Sequence, residues 1–204
     1  MLLADIGNTH FHIYNGKEVE HLSYAEAIKR YKAMPLSYIS VKKSLLKDLD
    51  SIRLWQNISQ SLFIEGEYST MGVDRKALCL SYETGIFIDA GSAITVDIVE
   101  DSVYKGGFIL LGLKASLEAY ANISPALDTS LNKTLGFKAL PRTTKDGISY
   151  GIIASIKALI EKHSQNKILY FTGGDGLFLS QFFDDAMYDE TLVFQGLQKA
   201  IKEL

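Results

Sequence analysis

"LLADIGNTHFHIYN", residues 2–15, is an apolar run that stops at Asp5, turns through Gly7, Asn8 and Thr9, and resumes as an alternating stretch. Local chemistry makes it a β-hairpin, because Gly and Asn supply the φ > 0 positions that tight turns require. The pattern returns as "IFIDAGSAITVDIV", residues 86–99, with its acid at Asp89, 84 positions on (89 minus 5). Two strand–turn–strand units of this kind predict two related halves, residues 1–84 and 85–204.

Each turn carries an acid, a glycine and a hydroxyl or amide, a set suited to polyphosphate. Gly7 and Gly91 lack a Cβ, so backbone N–H groups can approach phosphate oxygens closely. Asn8, Thr9 and Ser92 add side-chain donors, and Asp5 is placed to hold Mg²⁺ directly or through water. A pseudo-symmetric hairpin protein with no ligand remains the alternative at this stage.

Around the two hairpins, strands and helices alternate, which predicts an α/β layer structure. "YAEAIKRYKAM" (24–34) has helical spacing and is ended by Pro35. "LSYISV" (36–41) and "SLFIEG" (61–66) have strand length and flank the helix-like "KKSLLKDLDSI" (42–52). "GVDRKALCLSY" (72–82) reads as a turn opening into a helix, and "VYKGGFILLG" (103–112) as a strand with a bulge. Helices are expected at "LKASLEAYANI" (113–123), from "TKDGISYG" through "IIASIKALIEK" (144–162), and near "TLVFQGLQKAIKEL" (191–204). "ILYFTGGDG" (168–176) runs a strand into Thr172-Gly173-Gly174-Asp175-Gly176. Bare glycines there serve tight packing, or let an adenosine lie on exposed backbone.

Composition narrows the classes. The 204 residues are 47% apolar and 22% charged with three prolines, an ordinary globular composition large enough for a sizeable core. A net charge of −3 announces no basic face, so nucleic acid is not an expected partner. Cys79, the single cysteine, reads as a buried small hydrophobe. "MLLADIG" lacks the basic n-region of a signal peptide, and no apolar run approaches the ~18 residues of a membrane span. The expectation is a soluble, cytoplasmic protein with no membrane partner. No P-loop, C-x-x-C, H-E-x-x-H or G-x-S-x-G occurs. His10 and His12 alternate on one strand as polar-face residues, and His21 and His163 have no evident partners in the sequence.

The hairpins D-I-G-N-T and D-A-G-S, with the late T-G-G-D-G turn, resemble the nucleotide site of the actin-like acetate- and sugar-kinase superfamily. Within it the chain resembles the type III pantothenate kinases. "GVDR" (72–75) is similar to that family's G-x-D-R, and "DAGSAITVD" (89–97) to its D-x-G-[TS]-A-x-T-x-D. "GGFILLG" (106–112) is similar to its G-G-x-I-x-P-G, and "TTKDGISYG" (143–151) to its threonine-to-glycine stretch. The motifs stand in family order over nearly the whole chain. Leu111 replaces the family proline, the chain is compact for the family, and Tyr68 stands closer to Gly72 than the family tyrosine does.

The resemblance implies an α/β fold of two actin-like (ribonuclease H-like) halves, each a mixed sheet with flanking helices, with a nucleotide cleft between them. It implies ATP-dependent phosphorylation of pantothenate to 4'-phosphopantothenate, the first step of coenzyme A biosynthesis, by a homodimer. Asp74 would be the base that takes the substrate hydroxyl proton. Tyr68, Gly72, Val73, Arg75 and Thr144 would bind pantothenate, with Arg75 on its carboxylate. Asp5, Ile6, Gly7, Asn8, Thr9, His10, Phe11 and His12 would bind ATP together with Ser92, Gly173 and Gly174. Asp5 would lie by Mg²⁺, and Asp89 by a monovalent cation, K⁺ or NH₄⁺. Two alternatives stay open: a catalytically inactive nucleotide-binding regulatory protein of the same fold, and a kinase for another small hydroxy acid or sugar.

Overall fold

The computed structural model describes residues 1–7, 10–164 and 166–202. The chain runs β1 (Leu2–Ile6), β2 (Phe11–Tyr14), β3 (Val19–Leu22), α1 (Tyr24–Tyr31), β4 (Leu36–Ser40), α2 (Leu46–Asp50), β5 (Trp55–Asn57) and α3 (Val73–Cys79). It continues through β6 (Gly85–Ala90), β7 (Ala93–Glu100), β8 (Val103–Leu111), α4 (Leu113–Ile123) and α5 (Thr144–Ser164). The last elements are β9 (Leu169–Thr172), α6 (Gly176–Ser180), β10 (Ala186–Tyr188) and α7 (Leu192–Lys202).

Two five-stranded sheets share one topology. The first has the order β3-β2-β1-β4-β5, and the second, taken from its other edge, β8-β7-β6-β9-β10. In both, the fourth strand joins the first in parallel, and the fifth joins the fourth in parallel. The helices fall at corresponding places, before the fourth strand, before the fifth and after it. The repeat signalled by the two acid turns therefore extends to the whole order of elements, and the fold is the expected actin-like one. By their contacts the residues form two compact units. One is Met1–Thr84 with Ile98–Gly106 and Glu190–Leu204; the other is Gly85–Asp97 with Gly107–Asp189.

In the first unit, alternation along the strands puts Ala4, Ile6, Phe11, Ile13, Leu36, Tyr38 and Trp55 into one core with Ala27 and Tyr31 of α1 and Leu49 of α2. A Ser23–Glu26 capping box starts α1, satisfying two of the backbone donors a helix start leaves open. Trp55 is fixed by its indole N–H, which donates to the Tyr31 carbonyl at 3.1 Å. Helices α3 and α7 meet at Gly196, where a Cβ would stand 1.7 Å from the Ala77 carbonyl oxygen. In the second unit, Ile86, Phe87 and Ile88 are buried in succession, as a central strand covered on both faces requires. Ile148, Ile152, Ile153, Ile156 and Ile160 supply the buried side of α5.

The structure corrects one expectation and adds two strands. "SLFIEG" is not a strand: β5 lies earlier, at Trp55–Asn57, and residues 61–66 make only an isolated bridge between Glu65 and Val103. The misleading signal was a true alternation, Leu62 and Ile64 buried around an exposed Phe63, which the segment satisfies by packing rather than by a ladder. The edge strands β3 and β10 were not expected, because edge segments of three or four residues carry little hydrophobic pattern. Cys79 is buried as expected.

Gly196→Ala separates propensity from packing. Helix propensity alone favours alanine by about 1 kcal/mol, but the 1.7 Å approach forces α3 and α7 apart. The expected outcome in urea unfolding is a net loss of roughly 1–3 kcal/mol.

Candidate active site

Strand β1 sets Asp5 opposite His12 of β2 and Ile39 of β4. Its neighbours Ala4 and Ile6 enter the core, so Asp5 points to the other face, with Oδ1 shielded from solvent. Gly7 N–H donates to the His10 carbonyl at 3.1 Å and closes the turn. Tyr24 holds it from below, its hydroxyl donating to the Gly7 carbonyl at 2.7 Å. Asn8 and Thr9 lie outside the described residues. The side chains of Ile6 and Phe11 are fully buried, so only their backbone can face a ligand, whereas His10 is exposed.

The histidines are more connected than their spacing suggested. His12 and His21 are cross-strand partners, with their Nδ1 atoms 2.6 Å apart. His21 Nε2 lies 3.7 Å from Glu190, and His163 packs on Phe108. Burial first, then the positive charge of His21 and His10, pushes the His12 pKa down to about 4.

The "GVDR" stretch opens α3. Gly72 is its N-cap, and a Cβ there would lie 2.5 Å from Asp74 Oδ1. That same oxygen accepts the Arg75 backbone N–H at 2.8 Å. Arg75 is buried, and its terminal nitrogens donate to the hydroxyls of Tyr68 and Tyr104. Glu67 braces the preceding turn, accepting from Ile64 N–H at 3.1 Å and pairing with Lys76 at 2.6 Å. Tyr68, Gly72, Val73, Asp74 and Arg75 thus form one cluster.

In the second unit three motifs converge on one turn. Gly91 N–H donates to the Ala93 carbonyl at 3.0 Å, much as Gly7 does in the first hairpin. Gly173, at φ +85°, sits where a Cβ would meet Asp89 Oδ1 at 2.4 Å and the Ala90 carbonyl at 2.7 Å. Asp175 N–H donates to that carbonyl at 2.9 Å. Gly112, which ends "GGFILLG", donates to the Ser92 carbonyl at 3.2 Å. Asp89, Ser92, Gly173 and Gly174 are therefore neighbours, with Ser92 and Gly174 exposed. Thr144 stands apart from them in the hydrogen-bond pattern, exposed at the first position of α5. Thr143 accepts Asp146 N–H at 3.1 Å and caps the helix.

Residues 56–166 match the family model for type III pantothenate kinase. The chain belongs to this family. Type III pantothenate kinases of Helicobacter hepaticus and of Campylobacter jejuni strain RM1221 are 41% identical over 205 residues and 39% identical over 203 residues. Each alignment covers 100% of this chain, with 99% and 97% of the relative. A solved Campylobacter jejuni protein, described as of the Baf family of transcriptional activators, superimposes with a TM-score of 0.91. It is 37% identical, over 100% of this chain and 98% of its own. The activator of the 2-hydroxyisocaproyl-CoA dehydratase from Clostridium difficile, with bound ADPNP, shares the fold alone, at a TM-score of 0.56 and 10% identity over 100% and 97% of the chains.

The sequence reading gave no site role to Tyr104, Gly112 or Asp175. Gly112 carried a signal, as the last glycine of a quoted motif; Tyr104 carried none, lying 29 residues from the arginine it touches. The donor sets suit hard cations, which prefer carboxylate and carbonyl oxygen: Asp5 in one hairpin, and Asp89 with the Ala90 carbonyl in the other. Among the described residues no group of three or more His, Cys, Asp or Glu encloses a metal position, so cations there would share their shell with substrate phosphate or water.

His12 makes the first hairpin acid-sensitive. Its folded pKa of about 4 lies below the ordinary 6.5, so the unfolded chain binds the extra proton between those values. The stabilising contribution is complete above about pH 6.5 and is lost as pH falls toward 4, at most about 3 kcal/mol. Urea unfolding at pH 7 and pH 5 should show the loss, and His12→Gln should flatten it.

Proposed function

We propose that this protein transfers the γ-phosphoryl group of ATP to the primary hydroxyl of pantothenate, giving 4'-phosphopantothenate and ADP, the first step of coenzyme A biosynthesis. The observation that carries this reading is the intact "GVDR" cluster, in a chain that matches type III pantothenate kinases over its full length. Phosphoryl transfer passes through a loose transition state, so positioning and charge neutralisation do most of the work. Asp74 takes the hydroxyl proton as the new O–P bond forms. Arg75 grips the pantothenate carboxylate through its planar fork, beside Tyr68 and the backbone of Gly72 and Val73, with Thr144 as a further contact. We assign the two hairpins and the Ser92 hydroxyl to the phosphates, and Gly173 and Gly174 to the nucleoside, with open space beside Gly174.

Asp5 would hold Mg²⁺, and Asp89 a monovalent cation, K⁺ or NH₄⁺. When bound, these ions neutralise charge on the transferring phosphates. We place the enzyme in the cytoplasm, where a reduced Cys79 fits; among the described residues no helix is long and apolar enough to cross a membrane. We also propose a homodimer. Its support is a groove of about 340 Å³ among α4, α5 and the end of β8, lined by Leu111, Tyr120, Ile152 and Leu159, with Ile109, Leu111 and Ile123 exposed.

A second reading, a regulatory protein of the same fold, follows from the description of the Campylobacter jejuni structure. The retention of Asp5, Asp74, Arg75 and Asp89 favours the kinase. ATP consumption with pantothenate decides between them; a chain that binds nucleotide yet turns over neither pantothenate nor a panel of sugars is the regulatory protein. Asp74→Asn should lower kcat by about 10²–10⁴-fold with little change in pantothenate affinity. Arg75→Ala should instead weaken pantothenate binding by roughly 2–3 kcal/mol. Light scattering at micromolar concentration should give a dimer, and a fully active monomer would refute that assembly.

A further inference from the structure

Arg75 is 6% exposed and Tyr104 7%, while Tyr68 is 42% exposed. The two tyrosines take opposite ends of the guanidinium: Nη1 donates to the Tyr68 hydroxyl at 2.5 Å and Nη2 to the Tyr104 hydroxyl at 3.4 Å. Two contacts on different nitrogens fix both the plane of the fork and its rotation, which a single contact leaves open. The two partners differ in how firmly they are held. Tyr68 lies in the exposed turn before α3 and faces solvent. Tyr104 is locked at its backbone, its N–H donating to the Glu65 carbonyl at 2.8 Å. On the facing turn, Gly66 takes φ +83°, and a Cβ there would stand 2.5 Å from the Tyr104 carbonyl oxygen. Nothing larger than glycine fits, so the strand position of Tyr104 is set by backbone against backbone.

We infer that Tyr104 is a positioning residue: it anchors the Nη2 end of Arg75, so that the Nη1 end beside Tyr68 presents a fixed fork to the carboxylate of the substrate. This rests on the pantothenate reading of Arg75 and adds to it the group that sets selectivity for a charged substrate. Tyr68 is the accessible partner that an incoming carboxylate joins, and Tyr104 is the partner that does not move.

The test compares pantothenate with its neutral primary amide, which keeps the reacting hydroxyl and loses the carboxylate. Tyr104→Phe removes one hydroxyl and keeps the ring. KM for pantothenate should rise roughly 5- to 20-fold, reaching only the lower end of what a hydrogen bond to a charged group is worth because the contact is long, with kcat within about twofold. The amide should be affected far less, so the preference for pantothenate falls by a similar factor. In the Arg75→Ala background Tyr104→Phe should change neither KM nor preference, because there is no guanidinium left to orient. A Tyr104→Phe enzyme with unchanged preference overturns the inference. So does one that loses both substrates equally, that is additive with Arg75→Ala, or that does not fold by thermal melting, since each makes Tyr104 merely structural. A wild-type protein that phosphorylates neither compound overturns the kinase reading instead.

Discussion

Backbone approaches backbone on two sides of the Asp89–Ser92 turn, and both approaches admit only hydrogen at the α-carbon. A Cβ on Gly112 would stand 2.3 Å from the Gly91 carbonyl oxygen, and one on Gly173 would stand 2.7 Å from that of Ala90. Real Cβ contacts do not come that close, so the end of β8 and the turn after β9 can meet the second hairpin only through glycine. Once they meet, their polar groups are satisfied by one another: Gly112 N–H on Ser92, Asp175 N–H on Ala90. The result is a turn whose shape is fixed by three segments far apart in sequence.

The first unit meets its steric constraint differently. Its hairpin turn is held by a side chain, Tyr24 on the Gly7 carbonyl, and its glycine approaches occur instead at Gly66 and Gly72, around the "GVDR" cluster, and at Gly196 between α3 and α7. The same order of strands and helices occurs twice, but the tight packing falls in different places. In one copy it shapes a phosphate-type turn; in the other it shapes the setting of an acid and an arginine. Helix α7, the counterpart of α3 in the second repeat, packs on α3 itself through Gly196, so the two repeats exchange packing at their last helices.

The legible parts of the sequence were those with a local cause. Asp5 and Asp89 each end an apolar strand before a glycine, and the family motifs around them are short and contiguous. Helices α4 and α5 follow from unbroken apolar spacing, Pro35 marks the end of the α1 region, and Cys79 sits among buried neighbours. What stayed hidden depended on partners distant in sequence. "SLFIEG" alternates like a strand, yet no neighbouring strand is in reach except at Glu65. His21 looked isolated because its partner lies across a ladder. Tyr104 acts on Arg75 across 29 residues, a relation that no single-chain periodicity encodes.

The glycine contacts also bear on chemistry, because phosphoryl transfer asks a protein for placement more than for reactive groups. Reaching even 3.0 Å, the lower limit of real Cβ contacts, at Gly112 would move the Gly91 carbonyl by about 0.7 Å (3.0 minus 2.3). A misplacement on the order of 1 Å is enough to lower a rate by about 10². The turn is therefore constrained at the scale on which the proposed reaction is sensitive. The same reasoning applies to the role proposed for Arg75: a flexible arginine at the surface would find a carboxylate in many poses, whereas one buried beside two hydroxyls would offer it one orientation. On the proposed reading, holding the substrate carboxylate at one end also limits where its hydroxyl can lie, which is the positioning asked of an acceptor such as Asp74.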